Sequence, residues 1–234
     1  AFFGTSSKII RTAKGNCLII APWNYPLLLT FGPLVSAIAA GNTVILKPSE
    51  FTPHTSSVMK KIIAELFQEN EVAIIEGGKE TAEQLLDLPF DHICFTGSPI
   101  TGTKVMQAAA KHLASVTLEL GGKSPVYIHS DSNISDAAIK ITMAKLNNAG
   151  QSCVSPDYIL VHKDVKDELI AALQKDFKIF YDKNDKASSK NYASIIDPSK
   201  YLRLEHLSPH YHQPQECRDL LVFEPVIIHD ALPD

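Results

Sequence analysis

The sequence predicts an α/β fold: a doubly wound parallel sheet over residues 1–120, followed by part of a second α/β domain over residues 121–234. Three observations carry this. Short apolar runs that stop at proline or glycine alternate with longer stretches of helical periodicity. Such alternation calls for parallel strands covered on both faces. The pattern then restarts after the glycine pair Gly121-Gly122, which marks a boundary between domains.

Residues 16–21 are an apolar run that ends at Pro22, and residues 43–47 a β-branched run that ends at Pro48. Between them, residues 26–40 read as a buried helix that Gly41 and Asn42 terminate. Residues 55–68 place Val58, Ile62, Ile63, Leu66 and Phe67 on one helical stripe. A strand over 72–75, a turn at Gly77-Gly78, a short helix over 80–86 and a strand over 92–95 follow. Residues 101–113 form a helix with Val105, Met106, Ala109 and Leu113 inward, and 116–120 a strand. In the second domain, strands are expected at 125–129 and 158–162, and helices at 134–148 and 164–181. Residues 182–190 are polar and read as a surface loop, 204–218 show little periodicity, and 226–229 have a buried-strand pattern. The first residues also read as strand-like. Both ends therefore look cut, and the chain is expected to be a central fragment of a longer protein.

With 234 residues, 45% of them hydrophobic, the chain can bury a sizeable core, which excludes a disordered tail or a disulfide-stapled miniprotein. A net charge of −4 leaves no broad basic surface, so neither nucleic acid nor an anionic membrane is the expected partner. The longest apolar stretch, residues 27–40, is too short and interrupted to span a bilayer, so no membrane segment is expected. Cys17, Cys94, Cys153 and Cys217 stand far apart, as reduced thiols of a cytoplasmic protein do. His210, His212 and Cys217 lack a fourth ligand at suitable spacing, so no metal is expected.

Five motifs fall on loops at strand ends. In Asn147-Asn148-Ala149-Gly150-Gln151-Ser152-Cys153 a helix ends at glycine and a thiol follows; the thiol is either a nucleophile or a small apolar filler. Glu119, in Leu118-Glu119-Leu120-Gly121-Gly122, is a carboxylate in an apolar run at the sheet edge where open α/β folds bind ligands, placed either as a base or toward water. Phe95-Thr96-Gly97-Ser98-Pro99-Ile100-Thr101-Gly102 reads as strand, turn and helix start, which makes an anion cradle or an ordinary tight turn. Lys47-Pro48-Ser49-Glu50 places a carboxylate where such folds hold a ribose, or is a solvated turn. Pro22-Trp23-Asn24-Tyr25-Pro26 stiffens a loop whose Asn24 amide is a donor for an oxyanion or a helix cap.

These five motifs, in this order and with Lys123-Ser124-Pro125 completing the glycine-pair motif, resemble the aldehyde dehydrogenase superfamily, and the intervening sequence is most like its class 3 or fatty-aldehyde branch. The resemblance implies a Rossmann-like cofactor-binding domain over 1–120 and a catalytic domain over 121–234. It implies Cys153 as the nucleophile that forms a thiohemiacetal and then a thioester, Glu119 as the base that activates water, and Asn24 with the Cys153 N–H as oxyanion donors. Lys47 and Glu50 would meet the adenosine ribose of NAD, with NADP possible; Gly97, Ser98 and Gly102 would line the pyrophosphate; Gly121 would lie near the nicotinamide. The partners implied are a small-molecule aldehyde and a second copy of the full-length chain in a homodimer. Members of the family also carry earlier helices and a later Glu-x-Phe-Gly-Pro motif, further strands and an oligomerisation hairpin; Phe223-Glu224-Pro225 belongs before that motif. Two rival readings are an acyl-transferring relative, which generally lacks Glu119, and an inactive truncated binding form.

Overall fold

The computed structural model describes residues 4, 6–181, 192–208, 218 and 220–228. The chain divides into two compact units, Ala1–Gly121 and Gly122–Asp234.

The first unit alternates strands β1 (Asn16–Ile20), β2 (Thr43–Lys47), β3 (Val72–Ile74), β4 (His92–Gly97) and β5 (Ser115–Leu120) with helices α1 (Pro26–Ala39), α2 (Pro53–Leu66), α3 (Lys79–Leu86) and α4 (Pro99–Ala110). All strand pairs are parallel, in the order β3-β2-β1-β4-β5. Strand side chains alternate between faces, so Cys17 and Ile19 pack with Leu34 of α1 and Ile63 of α2, while Leu18 and Ile20 pack with Leu85, Val105 and Ala109 of α3 and α4. Helices thus cover both faces of the sheet, as the sequence predicts. Leu18 and Leu46 have no exposed surface, and truncating either to alanine would cost about 2–5 kcal/mol. Gly41, at φ 86°, ends α1: its N–H donates to the Ile38 carbonyl and the Asn42 N–H to the Ala37 carbonyl.

The second unit holds β6 (Ser124–Ile128), α5 (Ile134–Leu146), β7 (Pro156–Val161), α6 (Lys166–Phe180) and α7 (Pro198–Leu207). β6 and β7 pair in parallel, and Ile128, Ile134, Ala138, Ile141, Leu169 and Leu173 form their core with α5 and α6. A smaller cluster joins Ile195, Tyr201 and Phe223, the two rings edge to face at 5.5 Å.

Several expectations need correction. α1 is not a buried helix: only Thr30 and Leu34 are buried, and Leu27, Leu28 and Val35 are exposed. Val58, Leu66 and Met106, expected inward, are exposed, because each helix presents a single stripe to the sheet and Ser56, Met59, Ile63, Val105 and Ala109 occupy it. Leu113, also expected inward, is exposed because α4 ends at Ala110 and Leu113 lies in the turn beyond it, at φ 56°. Residues before Asn16 and residues 226–228 form no strand among those described; Val222 and Phe223 are buried by packing rather than by a ladder. α7 arises where no element was expected, its N-terminus closed by Asp197, whose carboxylate accepts from the N–H groups of Ser199 and Lys200. The 182–190 loop, His210, His212 and Cys217 lie outside the described residues.

Candidate active site

Because the strands of the first unit run parallel, their carboxyl ends share one edge. Asn24 stands in the loop after β1, Lys47 closes β2, Glu50 follows it, Gly97 closes β4, Ser98 follows, and Glu119 is the penultimate residue of β5. Sheets of this order bind ligands at that edge.

Lys47 is 4% exposed, and its Nζ lies 3.0 Å from Oε2 of Glu50, which is 42% exposed. Burial alone raises the Glu50 pKa, but its own backbone N–H and the Lys47 ammonium outweigh that, so the carboxyl is held below its ordinary value. Beside this pair is a cavity of about 180 Å³ lined by Pro48, Ser49, Glu50, Ser56, Glu76 and Gly77. Ser56 Oγ donates to the Ser49 carbonyl and fixes the loop that carries Glu50. Glu76, a lining residue that sequence reasoning missed, pairs with Lys60 at 3.3 Å. Its signal was its position just after β3, at the same edge as Glu50. The cavity is below the range of about 300–1,000 Å³ that holds whole small-molecule ligands.

Ser98 caps α4: its Oγ accepts from the Thr101 N–H at 3.2 Å. The glycines around it also answer to internal packing. A β-carbon at Gly97 would stand 2.5 Å from the Phe95 ring, and one at Gly102, buried in α4, 2.7 Å from Leu120 Cδ2. Of the Gly121-Gly122 pair, Gly121 has open space around it, whereas a β-carbon at Gly122 would meet the Cys153 carbonyl oxygen.

Glu119 is exposed, so the apolar setting expected from its neighbours does not surround it. Burial pushes the Cys94 thiol up, and the Glu119 carboxylate and Cys17 add to this. The buried Cys17 thiol is likewise raised by burial and by Asp91, with Lys14 opposing. Among the described cysteines Cys153 alone is exposed.

Cys153 belongs to the second unit and follows an unusual turn. After α5, Asn148 (φ 51°, ψ 33°), Ala149 (φ 53°, ψ 35°) and Gly150 (φ 73°) are all left-handed. Left-handed backbone costs an L-residue roughly 1–2 kcal/mol, so surrounding contacts must hold Asn148 and Ala149 there. Gln151 does much of this. Its N–H and its Nε2 both donate to the Asn148 carbonyl, and Asn148 Nδ2 donates back to the Gln151 carbonyl. The Lys145 side chain packs over Gly150, and burial lowers its pKa, with Asp157 opposing and Lys123 adding to the effect. A third strained residue, Tyr25 at φ 47°, follows Asn24 and precedes Pro26, where the α regions are disfavoured. Of the five non-glycine residues with positive φ among those described, three therefore flank Asn24 or Cys153. Strain of this kind concentrates at functional sites.

A profile of the Aldehyde dehydrogenase family matches residues 3–213. The chain belongs to this family. It is 50% identical over 205 residues to 4,4'-diaponeurosporen-aldehyde dehydrogenase of Staphylococcus aureus, covering 88% of this chain and 44% of that protein. It is 44% identical to human aldehyde dehydrogenase family 3 member B1, covering 86% of this chain and 43% of that protein. Among solved structures, the substrate-bound state of Staphylococcus aureus AldH superposes with a TM-score of 0.84 at 44% identity, covering 94% of this chain and 50% of that one. The Mycobacterium tuberculosis aldehyde dehydrogenase complexed with NAD+ gives 0.75 at 31%, covering 83% and 41%. The chain thus spans less than half the length of these curated relatives, and the class 3 resemblance agrees with its family 3 relatives. The first unit carries the Lys47–Glu50 pair, Ser98, Asn24 and Glu119 at one sheet edge, and the second carries an exposed thiol after a left-handed turn. No helix among the described residues is long and apolar enough to cross a membrane.

Proposed function

We propose that the intact protein oxidises an aldehyde to a carboxylic acid with NAD as cofactor and NADP as the alternative. The first unit acts as the cofactor-binding domain and the second as the catalytic domain. The observation that carries this reading is the exposed Cys153, at the end of a left-handed turn, in a chain of this family. Cys153 Sγ adds as thiolate to the aldehyde carbonyl carbon and forms a thiohemiacetal. The Asn24 amide and the Cys153 N–H donate to the resulting oxyanion. After oxidation to the thioester, Glu119 takes a proton from the attacking water; the carboxylic acid leaves and the thiol is restored.

The residues present fit a dinucleotide. Glu50, paired with Lys47, lines a cavity of about 180 Å³, Ser98 and the α4 N-terminus follow β4, and Gly121 leaves open space at the end of β5. Nicotinamide, when bound, supplies the hydride acceptor. The carboxylates Glu50 and Glu76 favour a ribose bearing free hydroxyls over one bearing a 2′-phosphate. An intracellular reducing compartment suits a working thiol, and the family resemblance supports a homodimer.

The test uses the intact protein with NAD and a series of aliphatic aldehydes. Appearance of reduced nicotinamide together with carboxylic acid is expected, and Cys153→Ala should lower the rate by at least about 10³-fold while NAD still binds. Full activity in Cys153→Ala, or acyl-CoA as the product when coenzyme A is present, would overturn the reading.

A further inference from the structure

Gln151 does more than close the left-handed turn. Its Nε2 donates to the Ser194 carbonyl at 3.0 Å, and its Oε1 accepts from the Ile196 N–H at 3.0 Å. Both ends of one carboxamide thus bond to the backbone of a distant segment, as a neighbouring strand would. That segment is itself anchored: Ile195 is buried in a cluster with Tyr201 of α7 and Phe223, and its N–H donates to the Leu221 carbonyl. Within the second unit, a chain of contacts runs from the α7 cluster through residues 194–196 to Gln151, two residues before the thiol, and on to the strained turn at Asn148 and Ala149.

We propose that Gln151 is a positioning residue for Cys153, tying the turn that carries the thiol to the α7 cluster. This rests on the reading of Cys153 as nucleophile. A turn with two non-glycine left-handed residues has a lower-energy alternative available to it, and the three contacts of the Gln151 side chain oppose that relaxation. Glutamate at 151 can still accept from Ile196 but cannot donate to Ser194 or Asn148. Methionine, of similar length, can do neither. Displacing a reacting atom by about 1 Å can cost about 10²-fold in rate.

The experiment compares Gln151→Met and Gln151→Glu with wild type in the intact protein. Three quantities are read: amide hydrogen exchange in residues 194–196, the rate of the pre-steady-state burst of reduced nicotinamide, and the rate of Cys153 alkylation by iodoacetamide. Expected for Gln151→Met are exchange and burst rates changed in opposite directions, faster and slower, each by about tenfold or more, with aldehyde KM and NAD affinity unchanged. Gln151→Glu should fall between, and it decides the matter if Gln151→Met does not fold. Wild-type exchange or a wild-type burst in a folded variant overturns the proposal. If wild type itself shows no burst, the assignment of function fails separately. Alkylation and exchange then decide: altered Cys153 alkylation with faster exchange upholds the positioning role, and unaltered alkylation overturns it.

Discussion

A β-carbon added at Gly122 would stand 2.6 Å from the carbonyl oxygen of Cys153. That is backbone against side chain, so neither partner can rotate away. Gly122→Ala should therefore shift the backbone under the thiol and destabilise the protein by about 1–3 kcal/mol. Denaturant unfolding measures the loss, and steady-state kinetics should show a lower kcat with NAD affinity intact. Wild-type stability and kcat would show that the contact relaxes without consequence.

Alkylation should discriminate among the thiols. Cys153 is exposed, while Cys17 and Cys94 have thiols pushed upward by burial. The thiolate is the reactive form, so a raised pKa leaves less of it at any given pH. At neutral pH iodoacetamide should label Cys153 before Cys17 and Cys94, and Cys94 should follow only as the pH is raised past the ordinary thiol range. Mass spectrometry of the digested protein reads the order, and prior labelling of Cys94 would contradict it.

Glu50 and Glu76 line the same cavity. If the proposed cofactor site is right, removing either charge lowers the repulsion of a 2′-phosphate. We expect Glu50→Gln to raise the preference for NADP over NAD, and the double variant with Glu76→Gln to raise it by about tenfold, equivalent to about 1.4 kcal/mol. The ratio of kcat/KM for the two cofactors measures this. An unchanged ratio would remove both residues from cofactor choice.

The Lys47–Glu50 pair should also leave a mark on stability at acid pH. The Glu50 pKa is lower in the folded state than its ordinary value. The unfolded state therefore takes up the proton first, and stability falls as the pH drops. The contribution is present in full above the ordinary glutamate range and is lost as the pH falls through the depressed folded value. Since Glu50 is 42% exposed, solvent screens the pair and the effect is modest. Unfolding of wild type and Glu50→Gln across pH 3 to 7 should show a wild-type advantage that fades in acid; an advantage that grows there would refute the pairing.

The strands were legible because β-branched runs such as Thr43–Lys47 end at proline, and local chemistry and tertiary structure agree there. Helix faces were less so. Met106 is apolar yet exposed, since only the stripe that meets the sheet is buried, and a stripe one residue to the side fits the sequence as well. α7 had a readable signal in Asp197 followed by Pro198, a cap and a first-turn proline, which the many histidines beyond it obscured. Of the site, the edge positions of Lys47, Glu50, Ser98 and Glu119 follow from strand ends. The left-handed Ala149 does not: alanine disfavours that conformation, and the turn around it is bonded by Gln151, whose side chain also meets Ser194 and Ile196 far along the chain.

The strand order also bears on how the chain acquires its fold. β1 lies between β2 and β4, so Leu18 cannot meet Ile93 until three helices and two further strands have been synthesised. Non-local pairing of this kind slows folding. During translation the β1 edge stays open, apolar and templated for the wrong neighbour, which makes the interval before His92–Gly97 leaves the ribosome the period in which a chaperone has most to protect.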